Sequence, residues 1–324
     1  MSEVPMGSRD DVLAGGGTGG TTSSPMAFPI PAEELGTVSI VPNGSFEAGS
    51  YQTFVLTYIA GKFGIDDSGS MRVCFRFASD QTRPQFEDPK GPNYTTIEAS
   101  NNAVLTYHYD PKGNVRPWDR TLYIKVVRGF LREGDKITIT FGDRSGGSPG
   151  MRLQTFCEDS YEFHTLIDPI ATYCYQPMPV QPVIKIIPGK PDRYLAVAPT
   201  IRAIDESFSI KFKGEDKWGN PSDQCDIQLY PRASHPVQNL PDVISLKPGE
   251  FFGVIEGLSV ADAADLHIDF LDDAGAVMCR TNPIRIEPAP LSRHFWGDLH
   301  GQSEETIGTG SAEAYFAFAR DYAF

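Results

Sequence analysis

Tyr51-Gln52-Thr53-Phe54-Val55-Leu56-Thr57-Tyr58-Ile59-Ala60 is the stretch that decides the fold class. It is rich in aromatic and β-branched residues, which suit a pleated, half-buried strand. Turn chemistry follows at Gly64-Ile65-Asp66-Asp67-Ser68-Gly69, and Met71–Phe77 resumes as a strand. The same rhythm runs outward in both directions. Thr37–Val41 alternates around Val38 and Ile40, and Tyr94–Glu98 and Ala103–Tyr109 flank Asn101-Asn102. After the turn Asp110-Pro111-Lys112-Gly113-Asn114, Thr121–Arg128 and Lys136–Phe141 read as a pair around Arg132-Glu133-Gly134-Asp135. Tyr161–Ile167 closes the series. Short strands at this spacing predict a β-sandwich over residues 36–168.

Composition agrees with a mainly β chain. The 324 residues include 31 Gly and 26 Pro, which suit turns better than long helices. Lys+Arg is 28 against Asp+Glu 42, a formal net charge of −14. That balance argues against a nucleic-acid partner, which needs a concentrated basic surface. No stretch approaches the roughly 18 apolar residues of a membrane helix, so no membrane partner is expected. Met1–Pro25 is Gly/Ser/Thr-rich and lacks a basic start with an apolar core, so residues 1–35 read as a flexible tail rather than a signal peptide. Cys74, Cys157, Cys174, Cys225 and Cys279 are odd in number and scattered, which fits free thiols in a reducing compartment. The expected location is cytoplasmic.

Pro169, Pro177, Pro179 and Pro182 interrupt ladder bonding and mark residues 169–182 as a linker or edge-hugging segment. Candidate strands then resume at Val183–Ile187, Tyr194–Ala198, Ser207–Lys213, Asp226–Tyr230, Phe251–Glu256, Leu266–Leu271 and Ile284–Glu287. Their number and span predict an immunoglobulin-like sandwich over 183–288.

The remaining residues, 289–324, have a different character. His294-Phe295-Trp296-Gly297-Asp298-Leu299-His300 reads as a buried strand with Trp296, Asp298, His300 and Gln302 on one face. An acidic, Gly-containing loop follows, and then a helix over Ala312–Phe324 capped by Ser311, with Tyr315, Phe318 and Tyr322 at helical spacing. Strand, loop and helix make the start of an alternating β/α domain, and many barrel enzymes place their sites at strand C-termini. A carboxylate and an imidazole there suit a divalent metal such as Zn, Mn or Fe, with Asp298 either a ligand or the group that orients the ring. His300 is the central candidate, Gln302 and Glu304 further ones. A catalytic metal needs about three protein ligands and an open position, so the rest must come from sequence beyond this chain, which reads as a fragment.

Two other places invite a ligand. The loop Asp143-Arg144-Ser145-Gly146-Gly147 either cradles an anion or turns a hairpin. Arg116-Pro117-Trp118 either stacks a ligand or forms an Arg–Trp packing pair. His108, His164, His235 and His267 fall in β segments and read as structural.

Phe295-Trp296-Gly297-Asp298-Leu299-His300 resembles the motif opening the catalytic domain of a bacterial family of unknown function, itself similar to PHP (polymerase and histidinol phosphatase) metal-dependent hydrolases. Gly64–Gly69, Arg76–Asp80, Pro84–Phe86, Asp110–Trp118, Gly142–Gly147 and Asp216-Lys217-Trp218-Gly219-Asn220-Pro221 add to the resemblance. It implies that residues 289–324 open a β/α barrel. It also implies a metal-activated water attacking a phosphoester or related bond of a small-molecule substrate, with His300 as a first-strand ligand. The PHP pattern is His-x-His, and Gln302 stands at the second position. The alternative reading is a non-enzymatic β-sandwich binding or assembly module against which the terminal helix docks.

Overall fold

The computed structural model describes residues 29–295, 297, 300–308 and 310–323. Most of the expected tail therefore lies outside the described residues. Its end does not behave as a tail. Ala32–Glu34 form a short 3-10 turn, and Leu35 is buried with its carbonyl accepting a hydrogen bond from Tyr58 Oη at 2.9 Å.

Phe54–Ala60 is the central strand of the first unit. Phe54, Leu56, Tyr58 and Ala60 are buried, while Val55, Thr57 and Ile59 between them are half-buried. Period-two burial of this kind fixes register, because a one-residue slip would turn every apolar group outward. The strand lies between Gly36–Val41 and Lys136–Phe141, and Thr96–Ala99 completes the four-stranded sheet. The opposing sheet has the order Gln176–Pro177, His164–Asp168, Ser70–Phe75, Arg120–Arg128, Val104–Asp110. Met71, Val73 and Phe75 of this sheet share one core with Leu122, Ile124 and Val126, and with Ile137, Ile139 and Phe141 of the other. Phe163 sits at its centre, within 5.5–5.7 Å of the rings of Phe54, Phe75, Phe141 and Tyr161.

Two expectations about pairing are corrected here. Arg120–Arg128 and Lys136–Phe141 do not pair with each other; they belong to opposite sheets. The connection Gly129–Asp135 crosses from one layer to the other, as sandwich connections commonly do. Val183–Ile187 does not open the second unit. It pairs antiparallel with Glu158–Glu162 and parallel with Ser45–Glu47, and Ile184 and Ile186 are buried in the first core.

The proline-rich segment before it hugs the sheet edge. Asp168 is buried and accepts hydrogen bonds from the Thr172 and Tyr173 amides at 2.9 and 2.6 Å, which ends the strand. Beyond it, glutamine amides do what a proline-interrupted backbone cannot. Gln181 accepts from the Thr165 amide at 2.8 Å and donates to the Thr165 carbonyl at 3.0 Å. Gln176 treats Ile30 the same way at 2.9 and 3.0 Å. Both add hydrogen bonds to backbone groups along this edge.

The second unit has its own core, built from Ile210, Phe212, Leu229, Leu258, Ile268, Phe270, Ile284 and neighbours. Arg193–Val197, Phe208–Glu215 and Phe252–Leu258 form one sheet. Ile244–Leu246, Ile227–Ala233, Ile268–Leu271 and Val277–Arg280 form another. A third, smaller sheet places Ile284–Glu287 between Ile201–Ala203 and Ala264–Leu266.

The turn Asp216–Pro221 ties the two units together. Asp216 is buried and accepts from the amides of Trp218 and Asn220 at 2.9 Å and of Gly189 at 3.0 Å. So held, the turn reaches into the first unit. Trp218 Nε1 donates to the Ala48 carbonyl at 3.0 Å, and Asn220 Nδ2 to the Thr155 carbonyl at 2.9 Å. Asn220 Oδ1 accepts from the Cys157 amide at 3.1 Å. Gly49 has no room for a side chain here: a Cβ would lie 2.6 Å from the Trp218 indole.

The described residues do not support the expected barrel opening. Among the described residues of 288–310 there is no strand, and Phe295 is 86% exposed rather than buried. An isolated run of this length has no neighbour to take its backbone groups, and a single strand is not stable alone. The helix does form. Ser311 Oγ accepts from the Ala314 amide at 3.1 Å and caps Ala312–Phe318, and the last turn, Ala319–Ala323, widens to a π-helix.

Candidate functional site

Of the residues named as metal ligands, only those other than Asp298 are described, and these do not come together as a site. Asp298 lies outside the described residues. His300, Gln302 and Glu304 are exposed. The loop closes on itself, with the Glu304 amide bonded to the Gly310 carbonyl and the Thr306 and Gly308 amides to the Ser303 carbonyl, all at 2.9 Å. Gly301 lies flat under Tyr315, where a Cβ would come within 2.5 Å of the ring. Among the described residues no group of three or more His, Cys, Asp or Glu is placed to hold a metal ion.

The loop Asp143–Gly147 resolves toward its turn reading. Asp143 Oδ1 accepts from the Ser145 amide at 2.9 Å and Oδ2 from Thr96 Oγ1 at 2.9 Å. The Ser145 amide bond is the largest reason the Asp143 carboxyl sits below the usual carboxylate range. An amide that an anion would need is thus taken by the protein's own carboxylate. Arg116 and Trp118 do not pair with each other. The Arg116 guanidinium lies 4.9 Å from the Phe77 ring centre, and Trp118 stacks on His164 at 4.7 Å and 15°. His164 is further held by Glu162 at 2.6 Å. The rings spend their faces on one another.

A groove of about 1120 Å³ lies between the second unit and the C-terminal segment. That exceeds the ~300–1,000 Å³ of ordinary small-molecule sites. One wall is the chain from Val197 to Arg202, where it leaves one sheet and enters the next. Ser209 and Lys211 come from the outward face of Phe208–Glu215, and Asp265, Pro283 and Arg285 from the small sheet. His294, Phe295, Ala319 and Arg320 supply the other side. The stretch singled out in the sequence does contribute, through His294 and Phe295 rather than through His300.

The C-terminal segment is fixed to this face by its last helical turn. Lys211 Nζ donates to the Arg320 carbonyl at 2.6 Å and Lys213 Nζ to the Tyr322 carbonyl at 2.6 Å. Ammonium groups at a helix C-terminus meet the carbonyls that lack intrahelical partners. Tyr322 also packs edge-on against Phe251 and Phe252, at 5.2 and 6.0 Å.

The groove is apolar at its base and charged at its rim. Ala198 and Ile201 are buried below it, with Pro199, Pro283 and Phe295 beside them. Arg202, Lys211, Arg285 and Arg320 line it against one carboxylate, Asp265. The cations have neighbours. Arg285 Nε donates to Asp265 at 2.9 Å, Arg320 grips Asp321 through two bonds of 2.7 Å, and Arg202 lies 3.8 Å from Glu206. The Arg320 bonds hold the Asp321 carboxyl below the usual carboxylate range. Thr200 Oγ1 is buried and has no hydrogen-bond partner among the described residues.

The backbone edge along this wall is closed to strand addition. Ile201–Ala203 pairs with Ile284–Glu287 on one side only. On the other side Glu206 accepts from the Ala203 amide at 2.9 Å, and Arg202 donates to the Ile201 carbonyl at 2.8 Å. Side chains blunting an edge in this way discourage an incoming strand, so recognition in the groove falls to side chains.

Comparison with known proteins found no matching family model and no match among curated proteins. Among solved structures the chain is similar to FdeC, an Escherichia coli adhesin, at 11% identity and a TM-score of 0.23 over 79% of this chain. It is similar to the Yersinia pseudotuberculosis adhesin InvE at 8% identity and a TM-score of 0.23 over 78%. It is similar to the collagen adhesin of S. aureus at 6% identity and a TM-score of 0.17, over 79% of this chain and 96% of that one. The chain spans 65% and 58% of the lengths of the first two. With no matching family model, and with strands throughout and a single short α-helix among the described residues, the resemblance to PHP hydrolases is corrected, and the metal-dependent hydrolase reading goes with it. Within the motif, the described residues Phe295, Gly297 and His300 are not in a strand, and among the described residues no ligand group is gathered. The β architecture itself rests on the strands and the two cores.

Proposed function

We propose that this chain is a non-enzymatic β-sandwich binding module, whose second, immunoglobulin-like unit recognises a partner through the groove beside the C-terminal segment. The single observation that carries the reading is the groove itself. It combines a buried apolar base with convergent polar groups on a rigid sheet, which is the composition of a recognition site. Its walls come from six separate stretches of the chain, and lysines of the sheet clamp the helix that completes it.

The test is capture on peptide and glycan arrays by the whole chain, compared with Ser209→Trp. Ser209 is exposed on the sheet within the groove, so an indole there fills it without touching either core. Capture by the parent chain that Ser209→Trp abolishes supports the reading. Capture indifferent to Ser209→Trp places recognition elsewhere and overturns it.

A further inference from the structure

We infer that the groove is built for an acidic peptide segment, a conclusion that rests on the binding-module reading above. The inference comes from charge and from what surrounds it. The protein carries a net charge of −14, yet the groove lining holds Arg202, Lys211, Arg285 and Arg320 against Asp265, and with the flanking Glu206 and Asp321 counted it still keeps a small positive surplus. A local reversal of sign on an acidic molecule focuses an anionic ligand to that place.

The arginines are the right kind of cation for carboxylates. A guanidinium offers five donors in a planar fork that matches a carboxylate. Arg320 already demonstrates this geometry on Asp321 with two bonds of 2.7 Å. The side chains of Arg285 and Arg320 are 60% and 74% exposed. Pairs exposed to that extent are weak and screened by water. Their remaining donors are open to an incoming carboxylate, which can join or displace Asp265 and Asp321 at little cost.

The base of the groove chooses a peptide over a sulfated polysaccharide. Once Glu206, Asp265 and Asp321 are set against the rim cations, the surplus positive charge is small. A polyanion needs many uncompensated cations, whereas a small surplus suits a ligand with few carboxylates. Ala198, Pro199, Ile201, Pro283 and Phe295 instead give apolar surface that a sugar sulfate cannot use and an aliphatic side chain can. Apolar anchors between carboxylates, as in alternating leucine and glutamate, satisfy base and rim together.

Fluorescence anisotropy with the whole chain tests this. The probes are a labelled peptide alternating Glu and Leu, its Gln/Leu counterpart, and a heparin-derived oligosaccharide. The Glu/Leu peptide is expected to bind at least about tenfold more tightly than the Gln/Leu peptide. Arg285→Ala with Arg320→Ala is expected to weaken it about tenfold, as is raising the salt from roughly 50 to 500 mM. Arg285→Lys with Arg320→Lys keeps charge but loses the fork, and falls between. Circular dichroism identical to the parent chain establishes that these variants are folded. Equal binding of Gln/Leu and Glu/Leu peptides, both lost in Ser209→Trp, overturns the acidic class and leaves the module reading standing. Tighter binding of the oligosaccharide overturns the peptide assignment. No binding of any probe, with array capture still sensitive to Ser209→Trp, overturns the acidic peptide alone; no capture either overturns both.

Discussion

Replacing Asp216 with alanine tests how the two β units are joined. The carboxylate is buried and holds three backbone amides, those of Gly189, Trp218 and Asn220, at 2.9–3.0 Å. A hydrogen bond to a charged acceptor contributes about 1.5–3 kcal/mol net, and a donor left buried without a partner costs about 1–3 kcal/mol. The three bonds share one carboxylate and are not additive. Asp216→Ala is therefore expected to destabilise the chain by roughly 3–5 kcal/mol. Asp216→Asn keeps an acceptor oxygen and should lose about half as much. The turn also carries Trp218 and Asn220 onto the first unit, so coupling should fail with stability. Urea unfolding followed by circular dichroism and tryptophan fluorescence reads both effects. In the parent chain the two units should unfold together; in Asp216→Ala the second should unfold first. A loss below about 1 kcal/mol, or transitions that remain coincident, would refute the reasoning.

Three further outcomes are expected. Phe163→Ala removes the ring that touches Phe54, Phe75, Phe141 and Tyr161, and should cost about 3–5 kcal/mol in chemical denaturation. Asp269 accepts two bonds from Arg280, at 2.6 and 3.0 Å, which hold its carboxyl below the usual range. A depressed folded value gives stability that is present above the unfolded value of about 3.9 and is lost as pH falls through the folded value. Arg280→Ala should lower stability at pH 7 and flatten its acid dependence in urea titrations. Burial pushes the Cys74 thiol up to about 11. At about pH 8 iodoacetamide should label exposed Cys174 at once and Cys74 only as fast as the chain unfolds; equal rates by mass spectrometry would contradict this.

The fold was legible where one residue reports its own environment. Aromatic and branched runs gave strands at Phe54–Ala60, Ser70–Phe75 and Lys136–Phe141 close to where they stand. Partners were harder to read. Arg120–Arg128 and Lys136–Phe141 are separated by a turn that fits a hairpin, yet the chain crosses between layers, a choice made by the whole core. Ser45–Glu47, Ile201–Ala203 and Ile244–Leu246 are three residues each, too short for any periodic signal. Val183–Ile187 reads as a strand from sequence, but no local feature says which core it serves.

The site was less legible still. The groove draws Ile201, Ser209, Asp265, Arg285, Phe295 and Arg320 from parts of the chain that no spacing rule connects. An Asp and a His two apart look like a metal corner only if a strand holds them, and a strand needs a neighbour. Lys211 and Lys213 share strand parity, and that repeat was the available hint of a functional face. Nothing in the sequence indicated that both would meet the carbonyls of a helix some hundred residues on.

The parallel pairing of Ser45–Glu47 with Val183–Ile187 bears on how the chain is made. Phe46 packs edge-on against Phe54 at 5.2 Å, so this side of the core is begun by some of the earliest described residues. It is completed by a strand that leaves the ribosome only after nearly all of the unit has been synthesised. At about 5–20 residues per second the interval is on the order of ten seconds. Throughout it Ser45–Glu47 lacks the strand it pairs with, and Glu158–Glu162, made near its end, waits for the same strand. The first sandwich is thus a nascent fold with an unsealed flank, and its closure coincides with emergence of the segment that leads into the second.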